Sequence, residues 1–339
     1  MKLSQNASLK NLNTFGMGVQ AKYLLELSSA EDLTSALELS EFQKLPLLIL
    51  GGGSNILFLK NVEAVVLLNR LRGIVKVDEN NTHVWVKAAA GENWHTLVLE
   101  CIKNDLGGIE NLSLIPGNVG ATPMQNIGAY GVEIKDHFDS LEAINLKTGY
   151  TRTFSAQECK FGYRESIFKQ EEKGNWLIVS VTFKLTKKDH ELSTGYGAIA
   201  DELKVMNVTH PTIKSISDAV VNIRQSKLPN PAEIGNAGSF FKNPVVENNL
   251  VEGIRSNYSD VVAYPSKQGY SKLAAGWLIE KAGWKGFRSG DAGVHAKQAL
   301  VLVNYGNATG SEIWQLSTNI IEDIQGKFGV TLEREVNVF

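Results

Sequence analysis

Cysteine is almost missing from this chain: among 339 residues only Cys101 and Cys159 occur. Two thiols build no disulfide framework, and their scarcity suits a reducing compartment in which both stay free. No run of about 18 apolar residues occurs, so no membrane-spanning helix is expected. The N-terminus carries one early lysine and no apolar core before Asn6, so no signal peptide is read and a cytoplasmic protein is expected. An excess of one charge is also lacking. The 34 Lys and Arg against 36 Asp and Glu leave a net charge of −2, which gives no electrostatic footprint for nucleic acid or an anionic membrane. The six histidines (83, 95, 137, 190, 210 and 295) show neither HExxH nor any other ligand spacing, so no metal site is expected. Internal repeats and low-complexity tracts are absent too.

A hydrophobic content of 43% with 21% charged residues is ordinary for a globular protein with a large core. The length suggests two or three domains. Within this ordinary background, residues 113–131 stand out. They hold four glycines and two prolines, and only the Tyr130 phenol is ionisable. Such a stretch has neither a helical nor a strand period, and loops of this length inside compact domains usually have a function. Upstream, the buried strand expected at Leu47–Leu50 opens into Gly51-Gly52-Gly53-Ser54-Asn55. A strand followed by a glycine turn with exposed N–H groups is a means of holding phosphate. The nicotinamide-dinucleotide fingerprint fails because Ile56 stands where its third glycine belongs, and the Gly-Lys-Ser/Thr of a P-loop is missing.

Periodicity supplies the remaining elements. Strands are expected at Tyr23–Leu27, Ala64–Leu68, through Val84, Val86 and Ala88, from Leu177 to Leu185, and at Ala299–Val303. Leu141–Leu146 and Tyr150–Phe154 flank Lys147-Thr148-Gly149 as a hairpin. Ser29 to Asp32 and Ser155 to Glu158 open helices, and Asn93 caps one with an apolar face of Trp94, Leu97, Val98, Cys101 and Ile102, stopped by Gly107-Gly108. Lys187–Pro211 reads as polar and poorly periodic. Helices follow at Thr212–Ser226, from Ser271 through Ala282, and through Ile313, Leu316 and Ile320 to Gly329. Val330, Leu332, Val336 and Val338 then suggest a last strand.

Five motifs in order carry a family resemblance: the Gly51–Asn55 turn, the 113–131 loop, Tyr163-Arg164-Glu165-Ser166, Gly235-Asn236-Ala237-Gly238-Ser239-Phe240-Phe241-Lys242-Asn243-Pro244, and Leu332-Glu333-Arg334-Glu335-Val336. Over essentially its whole length the chain resembles UDP-N-acetylenolpyruvoylglucosamine reductases (UDP-N-acetylmuramate dehydrogenases) of the long form. The resemblance implies an α+β protein: the two-subdomain FAD-binding fold of the vanillyl-alcohol oxidase/p-cresol methylhydroxylase type plus a third α+β substrate-binding domain. The expected divisions are 1–73 (with 331–339 returning to it), 74–226 and 227–330.

The implied reaction is reduction of UDP-N-acetylglucosamine enolpyruvate by NADPH through FAD, in peptidoglycan synthesis and hence in cell-wall growth, shape and division. FAD contacts are expected from Gly51, Gly52, Gly53, Ser54, Asn55, Pro116, Gly117, Gly120, Ala121, Gln125, Asn126, Gly128, Ala129, Tyr130 and Gly131. Neither glycine-rich stretch contains His or Cys, so a non-covalent FAD is expected. By resemblance Ser239 is the proton donor, made acidic by neighbours such as Lys227 or Lys242, while Arg164 and Glu335 polarise the substrate carboxylate. Tyr196 matches a substrate-covering loop tyrosine. Lys227, Asn243, Lys272 and Gln298 are the further substrate contacts, and a monomer is expected. The residue before Glu335 is Arg334, where relatives often have proline. Two other readings are an FAD oxidase of the same superfamily acting on alcohols or aldehydes, and a nucleotide-sugar binding module that has lost its flavin. The Gly-Ser-Phe-Phe motif and Glu335 weigh against the oxidase.

Overall fold

Short apolar runs separated by glycine and polar turns give many short strands, and a computed structural model describes residues 2–39, 42 and 44–339 of the chain. Its contacts divide it into two units. The first comprises 1–7, 21–52 and 63–226, the second 8–20, 53–62 and 227–339.

Besides the two-stranded pair Gly128–Ala129 and Val132–Glu133, the first unit holds two main sheets. In the smaller, the strands lie in the order Lys2–Ser8, Gln20–Leu27, Val62–Asn69, Leu47–Leu50, with Leu47–Leu50 parallel to residues 65–68. The larger sheet runs Thr151–Ser155, Phe138–Asn145, Trp176–Thr186, His83–Ala89, Ile74–Glu79, every neighbour antiparallel. His83–Ala89 buries Val84, Val86 and Ala88 on one face, the alternation expected of a half-buried strand. Against that face packs the helix Trp94–Lys103 through Trp94, Leu97, Val98 and Cys101. The Asn93 side chain accepts from Thr96 N–H as its cap. This helix ends with Asn104 at the C-cap, before Gly107-Gly108, which instead bring the chain close to His190 and His137. Residues 187–196 form neither helix nor strand, but Gly197–Val205 form a helix that periodicity did not show. Its Ile199 and Leu203 pack on Ile216, Ala219, Val220 and Ile223 of the helix Ile213–Lys227.

In the second unit, a sheet in the order Gly235–Ser239, Val301–Asn304, Ala292–Val294, Arg288–Ser289 is backed by the helix Gly310–Phe328. That helix is closed by a Thr309/Glu312 capping box at one end and a left-handed Gly329 at the other. Ser271 does not start a helix. Residues Tyr270–Leu273 form the middle strand of a three-stranded sheet, Ser271 opposite Val246, and the helix starts at Ala275. Cross-strand pairing outweighs the local capping signal there. The expected C-terminal strand is reduced to Asn337–Val338, parallel to Ile56–Leu57, plus a single bridge at Arg334. Among the described residues, no helix is long and apolar enough to cross a membrane, and no three His, Cys, Asp or Glu cluster as metal ligands.

Candidate active site

In the first unit, Gly52 meets the 113–131 loop. A β-carbon on Gly52 would lie 3.0 Å from Gly117 Cα and 3.1 Å from Asn118 Oδ1, and one on Gly51 would touch Asn118 at 3.7 Å. Two backbone turns therefore come together where any side chain would hold them apart. The loop is anchored from behind. Gly117 O accepts from Trp94 N–H (3.0 Å), Val119 N–H donates to Glu92 O (2.9 Å) and Gly120 N–H to Ala90 O (2.9 Å). Gly120 is thus committed to packing, since a β-carbon there would meet Ala90 Cβ at 2.5 Å.

The other end of the loop is clasped by the turn carrying Arg164. Arg164 Nη2 donates to Gly128 O (2.8 Å), Ser166 Oγ to Met124 O (2.7 Å), and Asn126 Nδ2 to Gly162 O (3.0 Å). Asn126 is buried. Its amide also donates to Glu133 Oε2 (2.9 Å) and its carbonyl accepts from Lys135 N–H (3.2 Å), so its side chain serves the loop's shape. Leu114, Asn126, Tyr130 and Arg164 all adopt left-handed φ values, 58°, 42°, 50° and 55°. Side chains held in that region cost of order 1–3 kcal/mol each, and such strain gathers at functional sites.

Tyr130 is the loop's contact with the segment 193–196. Its ring meets that of Tyr196 edge-to-face at 5.7 Å, and Asn111 Nδ2 bridges Tyr130 O (3.2 Å) and Ser193 O (2.9 Å). Burial pushes the Tyr130 phenol up, opposed by a hydrogen bond and charge from Arg224 on the helix Ile213–Lys227. Burial likewise lowers Arg224, and its Nε is buried without a hydrogen-bond partner. Arg224 and Asn111 were not among the sequence candidates. Each looks like an ordinary helix or loop residue until its distant partner is known.

In the second unit, Gly53 has φ of 62°, and a β-carbon there would lie 2.0 Å from Leu12 O, so the turn is closed to any other residue. Asn55 Nδ2 donates to Glu335 O (3.3 Å), while Asn55 O accepts from Asn337 N–H (3.1 Å). Ser239 ends the strand Gly235–Ser239 after a register shift between Asn236 and Ser239. Gly238, with φ of 69°, makes that bulge, and buried Asn236 holds it. Asn236 Oδ1 accepts from Gly238 N–H (3.0 Å), and its Nδ2 donates to Ile234 O (2.9 Å) and Pro229 O (3.3 Å). Ser239 is exposed. The next residue, Phe240, accepts from Glu335 N–H through its carbonyl (2.8 Å), so the segments bearing the hydroxyl and the carboxylate are directly paired. Lys242, one of the two lysines expected to acidify Ser239, is instead paired with Glu333; Lys227 is exposed. Asn243 Oδ1 accepts from Ala275 N–H (2.9 Å) and so caps the helix Ala275–Lys281. Gln298 Oε1 would meet a β-carbon on Gly276 at 3.3 Å, which puts it at the same helix end. Lys272 lies on the neighbouring strand, opposite Val245 and Tyr264.

Residues 230–339 match the family model described as UDP-N-acetylenolpyruvoylglucosamine reductase, C-terminal domain, and 21–155 match that of an FAD binding domain. The UDP-N-acetylenolpyruvoylglucosamine reductase of Flavobacterium johnsoniae is 51% identical over 338 residues, spanning 100% of both chains. The chain belongs to the UDP-N-acetylenolpyruvoylglucosamine reductase family. The solved UDP-N-acetylenolpyruvylglucosamine reductase of Thermus caldophilus superposes with a TM-score of 0.67 over 100% of this chain and 98% of its own, at 24% identity. A solvent-stable cholesterol oxidase shares the fold at a TM-score of 0.51 and 12% identity, over 98% of this chain and 86% of its own. The architecture is thus α+β, built on an FAD-binding fold, and the family is one of FAD-containing oxidoreductases.

The residues of the reductase fold present here fit FAD. The apposed Gly51–Gly52 and Gly117–Asn118 turns offer uncharged backbone of the kind that receives a diphosphate, and small residues line the loop beyond.

Proposed function

We propose that this reductase-family protein converts UDP-N-acetylglucosamine enolpyruvate to UDP-N-acetylmuramate, a peptidoglycan precursor. NADPH is the electron donor, and the protein acts as a cytoplasmic monomer with non-covalently held FAD. The observation that carries the reading is the pairing of the Ser239 and Glu335 segments through Phe240 in a chain of this family.

FAD, which the Gly51–Asn55 turn and the loop from Gly117 to Gly131 would hold, would supply the hydride that the terminal methylene of the enolpyruvyl group takes up, with NADPH as its source. Everything else falls to the protein. As the double bond takes up hydride, charge moves toward the substrate carboxylate, and a fixed cation or hydrogen-bond donor there lowers the barrier. Arg164 is assigned that cation. Glu335 is assigned the second carboxylate contact, in a protonated or hydrogen-bonded form, because a bare anion facing an enolate would oppose it. The Ser239 hydroxyl donates its proton to the α-carbon, which completes the addition of hydride and proton across the double bond, and solvent reprotonates the serine. Tyr196, Lys227, Asn243, Lys272 and Gln298 are assigned to the nucleotide sugar, with Tyr196 closing over it. The loop from Gly117 to Gly131 and the Gly51–Asn55 turn are assigned to FAD.

Stopped-flow measurement of the two half-reactions tests the assignment. Ser239→Ala should leave flavin bleaching by NADPH near the wild-type rate and slow flavin recovery with the enolpyruvyl nucleotide. Equal slowing of both halves would remove Ser239 from the role of proton donor.

A further inference from the structure

The residue between the two glutamates of the C-terminal motif, Arg334, turns its side chain to the helix Gly310–Phe328. Lys242 N–H donates to Glu333 O (2.9 Å), Arg334 bridges Phe241, and Glu335 N–H donates to Phe240 O (2.8 Å). This three-residue ladder lies outside any longer sheet; the Asn55 Nδ2 donation to Glu335 O (3.3 Å) and the Lys242–Glu333 ion pair add to its two backbone hydrogen bonds, and so short a segment is prone to local opening.

The Arg334 side chain adds a tie to the neighbouring helix. Its guanidinium carbon lies 3.6 Å from the centre of the Trp314 ring, its Nε donates to Ser317 Oγ (2.7 Å) and its Nη2 to Thr318 Oγ1 (2.6 Å). Both hydroxyls spend their own protons on Trp314 O, at 2.6 Å and 3.1 Å, which leaves their lone pairs turned to the arginine. All three partners sit on the helix Gly310–Phe328, the longest helix among the described residues. Among those residues Arg334 has no carboxylate partner, so its planar fork is used for stacking and directed hydrogen bonds rather than for an ion pair.

We infer that Arg334 is a positioning residue for Glu335: it ties the 333–335 segment to the helix Gly310–Phe328 and thereby sets where the Glu335 carboxylate stands relative to Ser239. The inference rests on the role proposed for Glu335, and a misplacement of about 1 Å at a reacting group can cost on the order of a hundredfold in rate.

The test uses the flavin-loaded full chain with Arg334→Met, Arg334→Lys, Glu335→Gln and the Arg334→Met/Glu335→Gln pair. Arg334→Met should bleach with NADPH at the wild-type rate. It should recover with the enolpyruvyl nucleotide roughly tenfold or more slowly while binding the nucleotide almost unchanged, and its Glu335 amide should exchange hydrogen faster without ligand. Arg334→Lys, which keeps the charge and loses the fork, should also be slow. In the Glu335→Gln background the added Arg334→Met should change little, because the group being positioned is already gone. If Glu335→Gln alone leaves recovery intact, the role of Glu335 fails. If Glu335→Gln slows recovery but Arg334→Met does not, or their effects multiply independently, the positioning role of Arg334 is overturned. Should Arg334→Met not fold, Arg334→Lys and Trp314→Phe carry the same comparison, and wild-type recovery in both overturns it.

Discussion

Replacing Gly52 by alanine probes the apposition of the two glycine turns directly. The new methyl would stand 3.0 Å from Gly117 Cα and 3.1 Å from Asn118 Oδ1. Non-bonded carbons prefer about 3.5–4.0 Å, so the turns must separate by roughly half an ångström. Neither neighbour is the end of a flexible chain: one is backbone and the other a short amide beside it. Overpacking of this kind costs about 1–3 kcal/mol, and if that falls on the FAD-bound state the affinity drops about 5- to 150-fold. Titration of the apoprotein with FAD, followed by quenching of flavin fluorescence, reads the loss, and thermal melts of the apoprotein read any part already present without cofactor. Gly253→Ala serves as the control. It lies inside the helix Asn248–Asn257 with open space around it and should stabilise by about 0.5–1 kcal/mol without touching FAD binding. A Gly52→Ala protein with wild-type FAD affinity and wild-type melting would refute the close-approach reading.

Three further outcomes follow from the geometry. Asn236→Ala removes the hydrogen bonds to Gly238, Ile234 and Pro229. It should destabilise by about 2–3 kcal/mol in urea titration and slow flavin recovery with the enolpyruvyl nucleotide, whereas wild-type values in both would detach the bulge from Ser239. Tyr196→Phe keeps the ring against Tyr130 but loses the hydroxyl; KM for the nucleotide should rise about three- to tenfold with kcat little changed, and an unchanged KM counts against a covering role. Burial pushes the Cys101 and Cys159 thiols up from 9.0 to about 12. Both should therefore resist a thiol reagent at pH 8 until the chain unfolds. Because the folded state favours the protonated thiol, their contribution is present below pH 9 and is lost as pH rises toward 12; rapid labelling of the native protein would contradict this.

What could be read from the sequence was local. The Ser29/Asp32 and Ser155/Glu158 capping boxes, the Asn93 cap, the left-handed Gly329 and the alternation of Val84, Val86 and Ala88 all involve partners within a few residues, and each is formed. Long-range partners were not readable. Ser271 resembled a cap, but the cap of the following helix comes from Asn243, 32 residues away. The motif around Ser239 was visible, yet the reason for its asparagine is a bulge that exists only once Gly235–Ser239 pairs with Val301–Asn304. The glycines of the 113–131 loop were expected to face a ligand. Close packing, invisible in the sequence, also requires two of the glycines in these turns: Gly120 admits Ala90, and Gly52 admits Gly117. Arg334, a charged residue within the expected last strand, stacks on Trp314, a partner 20 residues away that the strand pattern does not reveal.

Anaerobic stopped-flow spectroscopy of the wild-type flavin-loaded protein follows the whole redox cycle, which one nucleotide sugar completes. NADPH should bleach the flavin absorbance, and UDP-N-acetylglucosamine enolpyruvate should then restore it with one UDP-N-acetylmuramate formed per flavin. A flavin that NADPH leaves oxidised, or that stays bleached when the enolpyruvyl nucleotide is added, would contradict the account.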